Sequence, residues 1–428
     1  MKNPSELIDV AQLRVGMFVE LELGWMAHPF PTSSFKISNE KQIETIRGLG
    51  RSKVRYVPGK SDAISFEGDP KGAPENQQTP GDSHLPDNSL LLERQKRSQS
   101  LETQQRELAA CECRFDETVR LYRQVVDEIP NQPKVVLTRC RELVGSYVGE
   151  MLSEGDSAIR LLSDGMGDKL ALHPINVSVI ALLLGKYLQL PEADMTDLGL
   201  AAFLHDVGKS QIPDRVRWMD ESFSSVETRA YREHVAQGVL LGQRMDLPAA
   251  ALQAISQHHE MVDGSGFPAH IKGESMSRLG KILSLVNFYE NLCNPSRPTS
   301  ALTPHEAIAL IFAQLKSRFD PQVLAAFIRM MGVYPPGSVV QLSDERYAMV
   351  VSVNSSRPLK PRIIVFDPAV PKTEALILDL ETVPSLGIRR SLKPASLPRA
   401  AIDYLSPRQR ICYFFERAVE TPCKDSAA

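Results

Sequence analysis

The sequence predicts a multi-domain, mainly α protein with a small N-terminal α/β unit, an all-helical body and a small C-terminal β appendix. Three observations predict it. The chain has 428 residues, more than one hydrophobic core usually organises, so about two to four domains are expected. Its apolar share of 43% and charged share of 24% are ordinary globular values, which excludes wholesale disorder and collagen-like or membrane-spanning classes. The texture also changes along the chain, from short alternating segments to long helical periodicities and back.

Residues 1–58 read as the α/β domain. Val19, Leu21 and Leu23 alternate with Glu20 and Glu22, so one half-buried strand is expected within Val10–Leu23. Ser38 can cap a short helix through Ile43 and Ile46 that stops at Gly48 and Gly50, before a strand near Val54–Val57. Residues 59–88 are filled with Pro, Gly, Ser, Asp, Asn and Gln and read as a flexible linker, because nothing there repays the entropy of ordering. Residues 89–132 read as one long connecting helix. Leu101, Leu108, Phe115 and Tyr122 recur every seven residues, with Cys111 and Val125 beside them. Gln104 and Thr118 weaken this seam, which leaves open a helix lying on its own domain or a homodimer formed through 89–132.

Pro130 and Pro133 break that helix, and Val136, Cys140, Leu143, Tyr147 and Met151 line one face of the next. The helical texture continues through residues 133–333, the expected catalytic domain. Residues 334–395 turn to short apolar runs, Val339–Val340, Met349–Val353, Ile363–Phe366 and Leu376–Leu380, the pattern of a β-rich extension. Residues 396–428 read as a C-terminal tail.

The formal net charge of −3 sets up no strong field. No nucleic-acid polymer is expected as a partner, and a phosphate ligand would have to be held by local cations or metals. The start lacks a long apolar segment, and uninterrupted apolar runs such as Val179–Leu184 are short for a bilayer, so no membrane association and a cytoplasmic location are expected. Six cysteines without a C-x-x-C spacing fit free thiols in a reducing compartment. Cys111 and Cys113, two apart on a helix, face different ways and do not suggest a metal site.

Of nine histidines, five within the helical body, His173, His205, His234, His258 and His259, stand out by the residues around them. His205-Asp206 ends an apolar helix carrying Leu198, Ala201, Ala202 and Leu204, so an imidazole and a carboxylate are buried side by side. A metal ion would compensate that cost, and nitrogen and oxygen donors suit iron, manganese or zinc. Lys209, four residues beyond His205 and so expected on the same helical face, can hold a phosphate oxygen near the metal. His258-His259-Glu260 closes another helix and runs into the glycine-rich turn Asp263–Pro268, while His234 sits one turn before Gly238. Five imidazoles and Asp206 exceed the needs of one tetrahedral site. The economical reading is two metals bridged by the aspartate, a pair about 3.5 to 4 Å apart that activates water and clamps a phosphoryl oxygen. Phosphoester hydrolysis follows as the reaction class.

His173, Leu204-His205-Asp206-Val207-Gly208-Lys209, Ile212-Pro213, His234 with Gly238, His258-His259-Glu260 and Asp263–Pro268 together resemble the HD-GYP family, helical cyclic di-GMP phosphodiesterases of the HD superfamily. Leu13–Val19 and Trp25–Phe30 resemble the small domain of unassigned function that often precedes HD-GYP domains. Tyr334–Ser338 and the β appendix resemble the extension that often follows. The resemblance implies an HD-type phosphohydrolase domain with two divalent metal ions, iron or manganese, on His173, His205, Asp206, His234, His258 and His259. It implies catalytic roles for Asp206 and Lys209, and substrate contacts for Asp263, Gly264, Gly266, Phe267, Pro268 and Arg297. The expected activity opens the bacterial second messenger cyclic di-GMP to linear pGpG, and onward to GMP, by attack of a metal-bridging hydroxide.

Four features depart from the family pattern. Gly266-Phe267-Pro268 stands for Gly-Tyr-Pro, which keeps the ring and drops its hydroxyl. Asn287 stands where an aspartate ligates metal, so the ligand set loses a negative charge. Lys169 stands where three-metal members carry glutamate, and Arg297-Pro298-Thr299-Ser300 keeps only the first cation of Arg-Pro-Tyr-Arg. These departures keep a second expectation alive, a catalytically degenerate HD-GYP protein that binds nucleotide or signalling protein partners without hydrolysis.

Overall fold

The computed structural model describes residues 5–21, 30, 34–49, 51–62, 88–153, 155–163, 165, 169–220 and 222–417. Most of the expected linker, the stretch Trp25–Pro29 and the last part of the expected tail lie outside them. Two compact units form, Met1–Arg106 with Val365–Leu376 and Glu107–Ile364 with Ile377–Ala428.

In the first unit, β1 (Glu6–Asp9), β2 (Phe18–Glu20), β3 (Ser34–Lys36) and β4 (Lys53–Tyr56) form an antiparallel sheet in the order β1-β4-β2-β3. The one strand expected within Val10–Leu23 is β2, and β1 lies just ahead of that stretch, followed by a 3-10 turn at Val10–Gln12 that Asp9 caps. Helix α1 (Glu40–Arg47) buries Ile43 and Ile46, as the spacing predicts. Its cap is Asn39 rather than Ser38. The Asn39 side chain accepts from the Gln42 amide at 3.1 Å while the Gln42 side chain accepts from the Ser38 amide at 2.7 Å.

Helix α2 (Asn88–Glu128) gives way at Pro130 to α3 (Pro133–Leu152). Its seam is filled from within the chain. Phe115 meets Phe414 edge-on, Tyr122 meets Phe203 likewise, and Cys111 and Val125 are buried. The rest of the helical body comprises α4 (Lys169–Tyr187), α5 (Glu192–Leu204), α6 (Ser225–Arg244), α7 (Ala249–Gln257), α8 (Arg278–Cys293), α9 (Pro304–Gln314) and α10 (Pro321–Met331). Sequence caps start several of these: Ser224 with Glu227 for α6, Ser277 for α8, Thr303 with Glu306 for α9 and Asp320 for α10. Helix α4 is apolar on all sides and buried from Ala171 to Gly185, packed against α3, α5, α8 and α10. It is long and apolar enough to cross a membrane, but 83% of its most apolar window is buried inside the domain, the position of a core helix.

One strand falls inside the stretch expected to be wholly helical. β5 (Ser157–Leu161) joins β6 (Val339–Leu342), β7 (Tyr347–Asn354), β8 (Arg362–Val365), β9 (Ile377–Asp379), β10 (Ile388–Leu392) and β11 (Tyr413–Arg417) in a seven-stranded sheet. Each apolar run read in the appendix is one of its strands. The segment read as a tail supplies α11 (Arg399–Leu405) and β11, which pairs with β5 from Tyr413–Leu161 to Arg417–Ser157. The five described cysteines, Cys111, Cys113, Cys140, Cys293 and Cys412, are free thiols.

Candidate metal centre

Four helices deliver the five imidazoles. His173 lies in the second turn of α4, His205 caps the C-terminus of α5, His234 lies midway along α6, and His258 caps α7 with His259 beside it. After His205 the chain tightens into a 3-10 turn, Val207–Gln211, rather than continuing α5 as an α-helix. Lys209 therefore meets Asp206, three residues back, and not His205, four back: its Nζ lies 2.6 Å from Asp206 Oδ2. Gly208 lets this turn rest directly on α6. A Cβ there would lie 2.0 Å from the His234 carbonyl oxygen and 2.4 Å from the Gly238 amide nitrogen. The close packing against Gly238 is thus permitted by Gly208, since a Cβ on Gly238 itself would find ordinary contacts from 3.5 Å outward.

Asp206 sits at the meeting point. Its Oδ2 faces His173 Nε2 and His205 Nε2, each at 3.4 Å, and its Oδ1 faces His234 Nε2 at 3.6 Å and His258 Nε2 at 3.8 Å. Two groups of potential ligands result, one of His173, His205 and Asp206, the other of Asp206, His234, His258 and His259. The aspartate belongs to both.

The opposite ring nitrogens explain why these Nε2 atoms are bare. His205 Nδ1 donates to the Ala202 carbonyl at 2.7 Å, His234 Nδ1 to Tyr231 at 2.5 Å and His258 Nδ1 to Ile255 at 2.6 Å. His173 Nδ1 is held by the Glu290 carboxylate. With an Nδ1 N–H spent there, each ring turns its Nε2 to the centre, where a lone pair on that atom can meet a cation. Burial pulls His234 down to about 4, and burial with neighbouring imidazoles holds His258 and His259 well below the ordinary histidine value. Yet His173 and His205 approach Nε2 to Nε2 at 3.0 Å, and His234 and His258 at 3.2 Å. Lone pairs that close want a positive charge between or beside them. Asp206 Oδ1, fully buried, has no hydrogen-bond donor. Orphaned carboxylate oxygen and paired bare imidazoles fit divalent cations. Burial works to raise the Asp206 carboxyl, but Lys209, His205 and His173 outweigh it and hold it well below the usual range.

Around this core stand residues whose roles the sequence did not announce. Glu290 accepts at Oε1 from Asn176 (2.9 Å) and Asn294 (2.7 Å), and both asparagines also donate to the Ile411 carbonyl just ahead of β11. An acid at i+3 from Asn287 was its only sequence signal. Tyr231, three residues before His234, is buried with its hydroxyl 3.5 Å from His259 Nε2. Asn287 turns its amide nitrogen to the His258 carbonyl at 3.1 Å and towards His259 Nδ1 at 3.4 Å, while its oxygen accepts from Asn291 at 3.0 Å.

A cavity of about 600 Å³ opens beside the centre, lined by His259, Gly266, Phe267, Asn287, Arg297 and Arg318 among others. That volume suits a nucleotide-sized ligand. Phe267 stacks on His259 with ring centroids 4.3 Å apart, the ring that the Gly-Phe-Pro turn was expected to retain. Gly266 is there because a Cβ would strike the Glu260 and His259 backbone at 2.5 Å. Asp263, Gly264 and Pro268 shape this turn without lining the cavity, and Asp263 caps its own loop by accepting from the Ser265 amide at 2.9 Å. Arg297 lines the cavity with its guanidinium forked onto Asp220, at 2.8 and 2.6 Å. Ser300 bonds back to the Arg297 carbonyl.

Comparison with known families agrees with this arrangement: residues 152–323 match the HD domain and residues 5–140 a domain of unknown function, DUF3391. Residues 152–323 are an HD domain. The cyclic di-GMP phosphodiesterase PA4108 of Pseudomonas aeruginosa is 26% identical to the chain over 84% of each. The 3'3'-cGAMP-specific phosphodiesterase 3 of Vibrio cholerae is 26% identical over 42% of the chain and 39% of its own length. The cyclic di-GMP phosphodiesterase response regulator RpfG of Xanthomonas campestris is 31% identical over 36% of the chain and 41% of its own length. The HD domain carries every histidine of the centre, together with Asp206 and Lys209.

Proposed function

We propose that the chain is a metal-dependent phosphodiesterase that opens cyclic di-GMP to linear pGpG. One observation carries the reading: the two oxygens of Asp206 divide four imidazole nitrogens into two pairs, with His259 beside the second. His173, His205 and Asp206 would hold one cation and Asp206, His234, His258 and His259 the other, a donor set suited to iron or manganese. When bound, such a pair lowers the pKa of water and neutralises charge on a phosphoryl oxygen.

The chain's own groups do the rest. Asp206 stays ionised because Lys209 is paired to it. Lys209, charged and buried next to His173 and Tyr231, offers its remaining protons to a phosphoryl oxygen. The Ala202, Tyr231 and Ile255 carbonyls and Glu290 fix the ring orientations. Phe267 and the cavity wall take the nucleotide and keep water away from the reacting phosphate. Cyclic di-GMP is chosen because two of the three relatives named above carry it in their names. The free thiols among the described residues support a reducing, cytoplasmic setting for it.

A second reading, nucleotide binding without turnover, draws on Asn287, whose oxygen is already bonded to Asn291 and brings no charge. The deciding experiment incubates the full chain with manganese or anaerobic ferrous iron and offers cyclic di-GMP beside 3'3'-cGAMP. Linear pGpG from cyclic di-GMP, abolished by Asp206→Ala, is the expected result. Binding without product, in protein that has taken up metal, would establish the second reading instead, and preferential cleavage of 3'3'-cGAMP would overturn the substrate.

A further inference from the structure

A second, smaller cavity of about 60 Å³ adjoins the large one, sharing Met219, Tyr231, Asn291, Pro295 and Ser296 as lining. It has room for a small group and none for a base. Its wall brings together Lys169 at the start of α4, Lys209 of the 3-10 turn, Trp218, and Arg410 from the chain leading into β11. The Lys169 and Lys209 ammonium groups lie 4.5 and 5.4 Å from the centroid of the same indole ring. Lys209 is neutralised by Asp206. Among the described residues Lys169 and Arg410 have neither an ion pair nor a hydrogen bond, and the one carboxylate in the lining, Glu290, has both oxygens engaged by His173, Asn176 and Asn294. Burial, then repulsion from Arg410 and Lys209, lowers the Lys169 ammonium, the mark of cations gathered without an anion.

We propose that Lys169, Arg410 and Trp218 form a subsite for a terminal phosphate, the phosphomonoester of a linear 5'-phosphorylated dinucleotide whose body occupies the large cavity. A phosphomonoester carries close to two negative charges at neutral pH, against one on a diester, and two cations without an ion pair among the described residues favour the former. The cavity's size admits a phosphoryl group, and His173 and Lys209 in its wall place that group next to the metal centre, while the wall shared with the large cavity keeps it within reach of a ligand there. Arg410 lies outside the HD domain, so the C-terminal segment completes the site. The subsite rests on the phosphodiesterase reading for its ligand, while its test depends on no turnover.

Chelator-treated full-length protein is titrated by calorimetry with pGpG and with GpG, which lacks the 5'-phosphate. The wild type should bind pGpG at least about tenfold more tightly, the size of one charge-assisted hydrogen bond. Lys169→Ala and Arg410→Ala should each shrink that preference, the double variant should abolish it, and GpG affinity should stay the same throughout. Lys169→Arg should retain it, and rising salt should erode it. Unchanged melting temperatures check that the variants fold. Equal wild-type affinities, no binding of either dinucleotide, or a preference that survives the double variant would overturn the subsite. Hydrolysis of cyclic di-GMP by manganese-loaded protein, assayed separately, reports on the phosphodiesterase reading alone.

Discussion

Replacing Gly208 by alanine tests how the helices converge. The new Cβ would stand 2.0 Å from the His234 carbonyl oxygen, whereas such carbon–oxygen contacts settle near 3.3 Å, so the crossing must open by about 1.3 Å. Neither neighbour can yield cheaply, because the His234 carbonyl and the Gly238 amide are both backbone of α6. Overpacking of this kind costs about 1 to 3 kcal/mol. The larger consequence is geometric, since α6 carries His234, whose Nε2 lies 3.6 Å from Asp206 Oδ1, and a displacement of about 1 Å at such a site can cost roughly a hundredfold in rate. Gly238→Ala is the matched control. Its Cβ would meet nothing nearer than 3.5 Å, and alanine in mid-helix gains up to about 1 kcal/mol over glycine. Thermal melts and elemental analysis of purified protein read the pair. Gly208→Ala should melt lower and lose metal, and Gly238→Ala should melt at or above the wild type with metal retained. A Gly208→Ala protein with wild-type melting and metal content would refute the crossing as drawn.

Two further outcomes follow from the same centre. His234 titrates near 4 when folded against 6.5 ordinarily, so between those pH values the unfolded chain binds a proton that the folded chain refuses. Stability of chelator-treated protein should therefore fall as pH drops from 6.5 to 4, by about 3 kcal/mol for this ring alone, with His258 and His259 adding to the loss. Urea denaturation at pH 7 and pH 4.5 measures it, and equal stabilities would show that the imidazoles are not held neutral. Asn287→Asp restores a charge beside His259 but sets carboxylate oxygen against the His258 carbonyl, now 3.1 Å from the amide nitrogen. Metal occupancy should rise while the metal-free protein loses about 1 to 3 kcal/mol. Occupancy unchanged or lower would remove Asn287 from the ligand set.

How much was legible depends on the kind of interaction. His205-Asp206 on an apolar helix announced a buried charge that needs compensation, and periodicity alone placed α2, α3 and the apolar strands β6 to β9. Other elements were hidden because their causes are not local. β5 lies in a stretch of helical texture and exists because β11, some 250 residues later, supplies its hydrogen bonds. β10 reads Ile-Arg-Arg-Ser-Leu, which has no clear alternation, and is a strand because β6 pairs with it. Lys209 was read on an α-helical face, but the tighter turn imposed by Gly208 against α6 hands it to Asp206.

By itself, then, the sequence determined the donor set: five imidazoles and one aspartate in an apolar setting, spaced so that helix ends and helix faces could present them. Only the tertiary structure decided that Asp206 stands between two pairs of Nε2 atoms, that Glu290 holds His173, and that Arg410 reaches the same wall as Lys169. Helical periodicity fixes which side of its own helix a residue occupies, whereas the meeting of side chains from separate helices depends on crossing angles and backbone approach, which are properties of the packed core.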